Sequence, residues 1–456
     1  MQNNQQTNEM ATGSIPKLFF KLAIPAVIAQ LVNLLYNIVD RIYIGHIPEV
    51  GASALTGVGL CAAITMFITA FAMLAGAGGA PLAAISLGKN DKEHAEKIMA
   101  NSFLLLIIFG VVLTIVIYIL APTLLTLFGA SEITLPYAVD YTRIYILGTV
   151  FVLIVMGMSP FITTQGFANI AMLTTIIGAV INIALDPIFI FGFGMGVKGA
   201  ALATILSQAV SSIFVLHFLT GNKTILKLRK ENLKLNPKIF GPTLALGISP
   251  FIMVSTESLL SISFTTSLAK YGGDVAVGAM TIITSINMLV TMPLQGFTQG
   301  GQPIMSYNYG AKNVDRVKKA FFMQFGVCVT YAAVFWCLCM MMPNVLAGIF
   351  SSDTTLVEYG AWALRIYMAG IFSVGFQLAC QQSFMALGQA AISLIMAFLR
   401  KLILLIPLIF ILPNFFENKV FGVFVAEPVS DIIAAAVTTI VFFTQFKKIM
   451  SKAENN

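Results

Sequence analysis

The chain has 456 residues, of which 58% are hydrophobic and only 10% charged. Soluble domains carry roughly 25% charged residues, so this composition excludes an ordinary soluble enzyme and points to an integral membrane protein. A net charge of +7 could suggest a nucleic-acid binder, but the positions of the charges decide otherwise.

Apolar runs of about 20 residues suffice to cross a bilayer as helices. Twelve are expected, at 16–44, 54–85, 96–121, 134–160, 165–192, 197–220, 239–269, 276–307, 316–346, 355–386, 390–413 and 420–446. Lipid offers no partners to unpaired backbone groups, so all twelve must be helical. The predicted fold is all-α: a polytopic membrane protein with twelve transmembrane helices in two pseudo-symmetric six-helix bundles. Residues 1–220 are expected to form an amino-terminal lobe, 221–240 a basic cytoplasmic linker, and 241–456 a carboxyl-terminal lobe. Residues 1–14 are polar and the first apolar run is as long as the others, so no cleavable leader is expected.

A carboxylate in the hydrocarbon zone is expensive, and each one calls for an account. On the first span Gln30, Asn33, Asn37 and Asp40 follow one another at helical spacing, with Tyr36 one turn before the acid. They share one face. Arg41 is the alternative partner that would merely neutralise Asp40. Pro25 lies in the same span, where it removes a backbone donor and can kink the helix. On the fifth span Asn182 and Asp186 are four apart, and the sixth presents Thr204, Ser207, Gln208 and Ser211. These polar faces must turn away from lipid and toward one another. Their oxygens suit a sodium ion, and two neighbouring carboxylates can retain a proton between them.

The seventh span carries Glu257 among Ser255, Thr256, Ser258 and Ser261. Gln295, Gln299 and Gln302 line the eighth, Gln377 and Gln381 the tenth, and Glu427 and Asp431 the twelfth. An interfacial pair with Lys419 is the competing reading of Glu427. Five cysteines (Cys61, Cys328, Cys337, Cys339, Cys380) fall within spans and are read as small apolar packing.

The two halves repeat one another. Phe128, Tyr137, Arg143-Ile144-Tyr145, Gly148, Gly166 and Ala168 recur 222 positions later as Phe350, Tyr359, Arg365-Ile366-Tyr367, Gly370, Gly388 and Ala390. Pro81 and Gly88 recur as Pro303 and Gly310. Near the ends of the halves the shift becomes 223, carrying Gly199, Ala203 and Ser207 onto Gly422, Ala426 and Ser430. Six spans per copy make the repeats parallel, an organisation common among transporters. Lys17 and Lys21, with the basic residues of 89–97, 223–238, 312–319 and 447–452, make eighteen of the 26 basic residues, all on one side of twelve crossings. That side is expected to be cytoplasmic, and the basic loops to touch lipid headgroups rather than nucleic acid.

Twelve spans in parallel copies, with Pro25 and Asp40 on the first and "NIALDP" on the fifth, resemble the prokaryotic multidrug and toxin extrusion (MATE) family. The resemblance covers about 15–450. It implies a cation-coupling site at Asp40, Tyr36, Asn182, Asp186 and Thr204, with sodium, if that is the ion, held by Asp40, Asn182, Asp186 and Thr204. It also implies a hinge at Pro25. Glu257 resembles an acid some members use on the seventh helix. Their tenth-helix acid is missing, and Gln381 and Gln382 occupy the region, so the coupling cation is placed in the amino-terminal lobe. Asn33, Asn37, Gln208, Glu257, Gln295, Gln299, Gln381, Glu427 and Asp431 are the candidate substrate or cavity residues.

The expected function is export of amphipathic, cationic compounds against protons or sodium, by a monomer in the plasma membrane, with no cofactor beyond the coupling ion. One alternative is a lipid-linked oligosaccharide flippase of the same superfamily, for which Arg400 and Lys401 are the only strong hint. An intramembrane enzyme is a remote alternative: His46, His94 and His217 are scattered near span ends, with no nucleophile–base or metal spacing.

Overall fold

A computed structural model describes residues 9–350 and 353–455, and no strand occurs among them. The first three spans are α1 (Ile15–Gly45), α2 (Gly51–Gly88) and α3 (Lys92–Leu127). Two pieces, Leu135–Leu147 and Thr149–Thr164, make α4, bent by 59° at Gly148. Then come α5 (Ala168–Gly192), α6 (Val197–Thr220), α7 (Pro237–Gly273), α8 (Val275–Gly310), α9 (Val314–Met341), α10 (Thr354–Ala386), α11 (Ala390–Asn414) and α12 (Lys419–Asn455). Eleven of these are single helices long and apolar enough to cross a bilayer, and the bent α4 makes the twelfth. The ninth span stops short of the expected 346, because Pro343 cannot extend it and opens a short separate helix, Pro343–Gly348. Ile108, Val112, Ile115 and Ile119 stand exposed along α3, as a lipid-facing stripe must.

The sequence repeat is also a repeat of backbone geometry. Asp91 caps α3 by accepting from His94 N at 3.0 Å, and Asn313 caps α9 by accepting from Arg316 N at 3.3 Å. Just before each cap stands a left-handed non-glycine residue, Asn90 at φ 62° and Lys312 at φ 58°. Gly166 and Gly388, at φ 89° and 69°, make the turns after α4 and α10, where a side chain would be strained. A Cβ on Gly148 would come within 2.7 Å of Ile205, and one on Gly370 within 2.7 Å of Pro428. Glycine therefore lets α4 close on α6 in one copy and α10 on α12 in the other.

The chain forms two compact units. One comprises Ile28–Val254 with residues 9–13, the other Ser14–Val27 with residues 255–455. These are not simply the two halves expected from the linker. The first part of α1 belongs with the second unit and the first part of α7 with the first. Small residues are the physical reason: Val27 and Ala23 of α1 meet Gly296 and Gly300 of α8, and Gly247 of α7 meets the backbone of α2 at Leu74. Pro25 and Pro250 are both buried and lie just before the points where α1 and α7 change units.

The linker is a strap rather than a loose tether. Gln165 is 1% exposed, and its Oε1 accepts from Thr224 Oγ1, Ile225 N and Leu226 N at 2.7–2.8 Å. Glu96, also buried, accepts from Lys227 N at 3.1 Å and Arg229 Nε at 3.0 Å. Asn101 Oδ1 accepts from Asn236 N at 2.8 Å. Three buried side chains, two on α3 and one just past α4, thus hold 224–236 in place. The second unit packs around an aromatic core in which Phe321, Phe384 and Phe442 are fully buried, the Phe321 and Phe442 rings stacking at 4.5 Å.

Candidate functional site

In the first unit, α1, α4, α5 and α6 bring together the residues expected to bind a cation. Asp186 is fully buried, Asn182 is 1% exposed and Thr204 5%. Asn182 Nδ2 donates to Asp186 Oδ1 at 3.4 Å and to Thr204 Oγ1 at 3.3 Å, so the four-residue spacing on α5 does join these side chains. Thr204 Oγ1 itself donates to Ala200 O at 3.0 Å, which leaves its lone pairs toward Asn182. The carboxyl group of Asp40, half-buried on α1, reaches hydrogen-bonding range of Asp186. Tyr36 lies beside both acids. Below Asp186, the helix continues through Pro187 into a π turn, Ile188–Gly192. Proline withholds one backbone donor there, and π turns often accompany functional sites.

Four oxygens here are buried and without a hydrogen-bond partner: Asp40 Oδ1, Asn182 Oδ1, Asp186 Oδ2 and Gln208 Oε1. Orphaned acceptors in an apolar bundle are costly unless something positive shares the space. Carboxylate, carboxamide and hydroxyl oxygens are hard donors, so the set fits a proton or a small hard cation. Arg41 is near enough for its charge to act on Asp40, but burial of the carboxyl group outweighs it. Arg41 lines an open, largely apolar pocket with Ile38, Ile42, Gly45, His46 and Leu55. Tyr141 and Tyr145 of α4, whose rings stack at 5.9 Å, lie close to this group, Tyr141 buried beside Asp40 and Tyr145 half-buried. Sequence reasoning did not assign them a role, although Tyr145 lies inside the repeated Arg-Ile-Tyr signature.

The remaining candidates separate into those that join the group and those that do not. Gln208, one turn beyond Thr204 on α6, is half-buried. Asn33 is half-buried and Asn37 exposed, and the Asn37 Nδ2 donates back to Asn33 O at 2.7 Å, so both close on their own helix. Gln295 and Gln299 are exposed on α8, while Gln381 is fully buried on α10.

In the second unit the acids meet built-in cations. Arg400 Nη2 lies 2.7 Å from Asp431 Oδ1 and 3.6 Å from Glu427 Oε1, and Arg400 Nε donates to the same Asp431 oxygen at 2.9 Å. Lys401 pairs with Glu257. Glu427 therefore does not pair with Lys419, whose ammonium sits 5.4 Å from the Tyr271 ring centroid. Two turns of α12 separate Lys419 from Glu427, whereas a π turn at Leu399–Leu405 aims Arg400 and Lys401 inward. Four cysteines are buried as small packing residues, but Cys337 is exposed.

Comparison with known proteins places the chain. The MatE family model matches it twice, over residues 25–188 and 250–411, once per repeat. The "Multidrug export protein MepA" of Staphylococcus haemolyticus (strain JCSC1435) is 25% identical over 427 residues, 92% of each chain. A solved structure described as "Outward-facing conformation of a multidrug resistance MATE family transporter of the MOP superfamily" superposes with a TM-score of 0.90 at 25% identity, over 97% of this chain and 98% of the other. The fold also matches "Crystal structure of MATE in the bent conformation", with a TM-score of 0.91 at 24% identity over 98% and 99% of the two chains.

Proposed function

The chain belongs to the MatE family, and from that premise we propose that it exports amphipathic, cationic compounds in exchange for a proton or sodium ion bound between Asp40 and Asp186. It is a multi-pass membrane transporter of the multidrug efflux type, not an enzyme. The observation that carries the coupling proposal is the set of four orphaned oxygens around two carboxyl groups in contact.

The residues suggest how coupling works. With both carboxylates ionised, the group needs water or a positive charge, which favours a hydrated amino-terminal cavity open to a cationic compound. A proton shared by Asp40 and Asp186, or a sodium ion held by Asp40, Asn182, Asp186 and Thr204, removes that need. The helices can then close over the site and expel the compound. Pro25 is too far to touch the acids, since fifteen residues of helix span about 22 Å. It acts by letting α1 bend near the point where the helix changes units. Each charge entering down 100 mV supplies about 2.3 kcal/mol.

We read both termini and residues 221–240 as cytoplasmic, because the basic loops fall on that side of twelve crossings. We read the transporter as a monomer that contacts lipid headgroups through those loops, with no nucleic-acid partner and no cofactor beyond the coupling ion. A flippase for anionic lipid-linked sugars needs free positive charge in the cavity. Arg400 and Lys401 are each engaged by carboxylates, which weighs against that reading.

Ethidium efflux from reconstituted vesicles, with sodium and proton gradients imposed separately, tests the proposal. Efflux must follow at least one of the two gradients. Efflux indifferent to both refutes ion coupling.

A further inference from the structure

The second unit does not balance its charges. Glu257, Glu427 and Asp431 face Arg400 and Lys401, so three carboxylates meet two cations. Arg400 directs both Nε and Nη2 to one oxygen of Asp431, and its contact with Glu427 is the longer one, 3.6 Å. Lys401 is engaged by Glu257, which is itself half-exposed. That leaves Glu427, 6% exposed, with its Oε2 buried and lacking any hydrogen-bond partner. A negative charge met only by that long contact, in a bundle surrounded by lipid, is costly, and a further positive charge at the open oxygen would relieve it.

Its location is informative. At the repeat shift of 223, Glu427 occupies the place that Thr204 holds in the first unit, and Tyr367, beside Glu427, answers Tyr145. The charged and titratable groups facing Glu427 come from every neighbouring helix: Asp431 on α12, Arg400 and Lys401 on α11, Glu257 on α7 and Tyr367 on α10. The position is thus the repeat-related counterpart of the cation site, with two of its positive charges supplied by the chain itself. A purely structural network would have no reason to leave one carboxylate oxygen open.

We propose that Glu427 is an exchangeable charge position in the second unit, holding a proton in the resting protein and releasing it when the positively charged group of an exported compound takes its place. The proton leaves the Glu427 carboxyl for water in the cavity, and the cation of the compound then balances the carboxylate. This rests on the reading that the exported compounds are cations, but not on the Asp40–Asp186 site, and the test separates the two.

The test uses the purified full chain carrying Asp40→Asn and Asp186→Asn, which silences proton exchange in the first unit. Ethidium is added in weakly buffered solution with a pH indicator, and binding is followed by ethidium fluorescence. The proposal expects about one proton released per ethidium bound, as linkage requires. Adding Glu427→Gln removes the release, and Glu427→Asp keeps it. Should Glu427→Gln fail to fold, the infrared spectrum decides. Ethidium must then abolish a protonated-carboxyl band, and Glu427→Asp must shift that band. Ethidium binding without proton release overturns the proposal, as does release unchanged in Glu427→Gln.

Discussion

Two buried sets of acids occupy related places in the repeat, and they are satisfied in opposite ways. In the first unit Asp40 and Asp186 face each other with amide and hydroxyl oxygens and carry orphaned atoms. In the second, Arg400 and Lys401 lie against the acids and cover all but one negative charge. The scaffold of helices, caps and glycine contacts is common to both. The difference teaches that duplication preserved the packing while the surroundings of the acids changed: the first unit leaves their oxygens open, and the second holds two cations of the chain against them. Transport needs a charge that can leave, so the proposed coupling site is the open pair Asp40–Asp186, and Glu427 is the one position in the second unit proposed to exchange.

The sharpest way to break this comparison is to remove the tethered charge. Arg400→Met leaves Glu427 and Asp431 buried without their guanidinium, and such losses cost about 3–5 kcal/mol. Denaturant unfolding in detergent should show a loss of that order. Adding Glu427→Gln and Asp431→Asn to Arg400→Met should recover most of it. A single variant as stable as the parent would mean that the acids do not depend on Arg400.

The strap gives the next largest effect. Gln165→Ala strips one acceptor from two buried backbone donors and a hydroxyl, at about 1–3 kcal/mol for each group left unsatisfied. Protease nicking between 221 and 240 should quicken accordingly. No change in nicking would show that the linker is held by other contacts.

Much of this architecture could be read from sequence, for reasons that vary by region. The spans were legible because lipid demands long apolar runs, and the polar stripe on α1 because helical spacing fixes a face. Asn182 and Asp186 met as expected because four residues make one turn. The pairing of Arg400 with the acids of α12 escaped because a π turn resets the register on which such spacing arguments rest, which left Lys419 as the competing partner of Glu427. Gln165 escaped because its partners are backbone groups sixty positions away, which leave no pattern in side-chain types. The exchange of the ends of α1 and α7 was hidden for a related reason. It depends on Gly296, Gly300 and Gly247 allowing close approach, and glycine in a span carries no direction of its own.

A smaller effect, on rate rather than stability, is expected from Pro25→Ala. Restoring the backbone hydrogen bond should stiffen α1 where it changes units and slow ethidium export about tenfold, equivalent to about 1.4 kcal/mol on the barrier. Binding of ethidium to the purified protein should stay within about twofold, a change near 0.4 kcal/mol. Equal losses in binding and export would make Pro25 a packing residue.

Smallest of all is the change at Lys318, the repeat counterpart of Glu96. Its pair with Glu454 is exposed on both sides, at 44% and 55%, unlike the buried Glu96. Lys318→Ala should alter unfolding by no more than about 0.5 kcal/mol. A loss as large as that of Gln165→Ala would show that the two copies are strapped alike.

The most direct test of the central claim is ethidium efflux from vesicles holding equal amounts of folded wild-type, Asp40→Asn or Asp186→Asn protein, driven by whichever ion gradient powers the wild type. Each single substitution should abolish gradient-driven efflux while leaving the protein inserted and monodisperse. Efflux at the wild-type rate from either variant would contradict the assignment of coupling to the first unit.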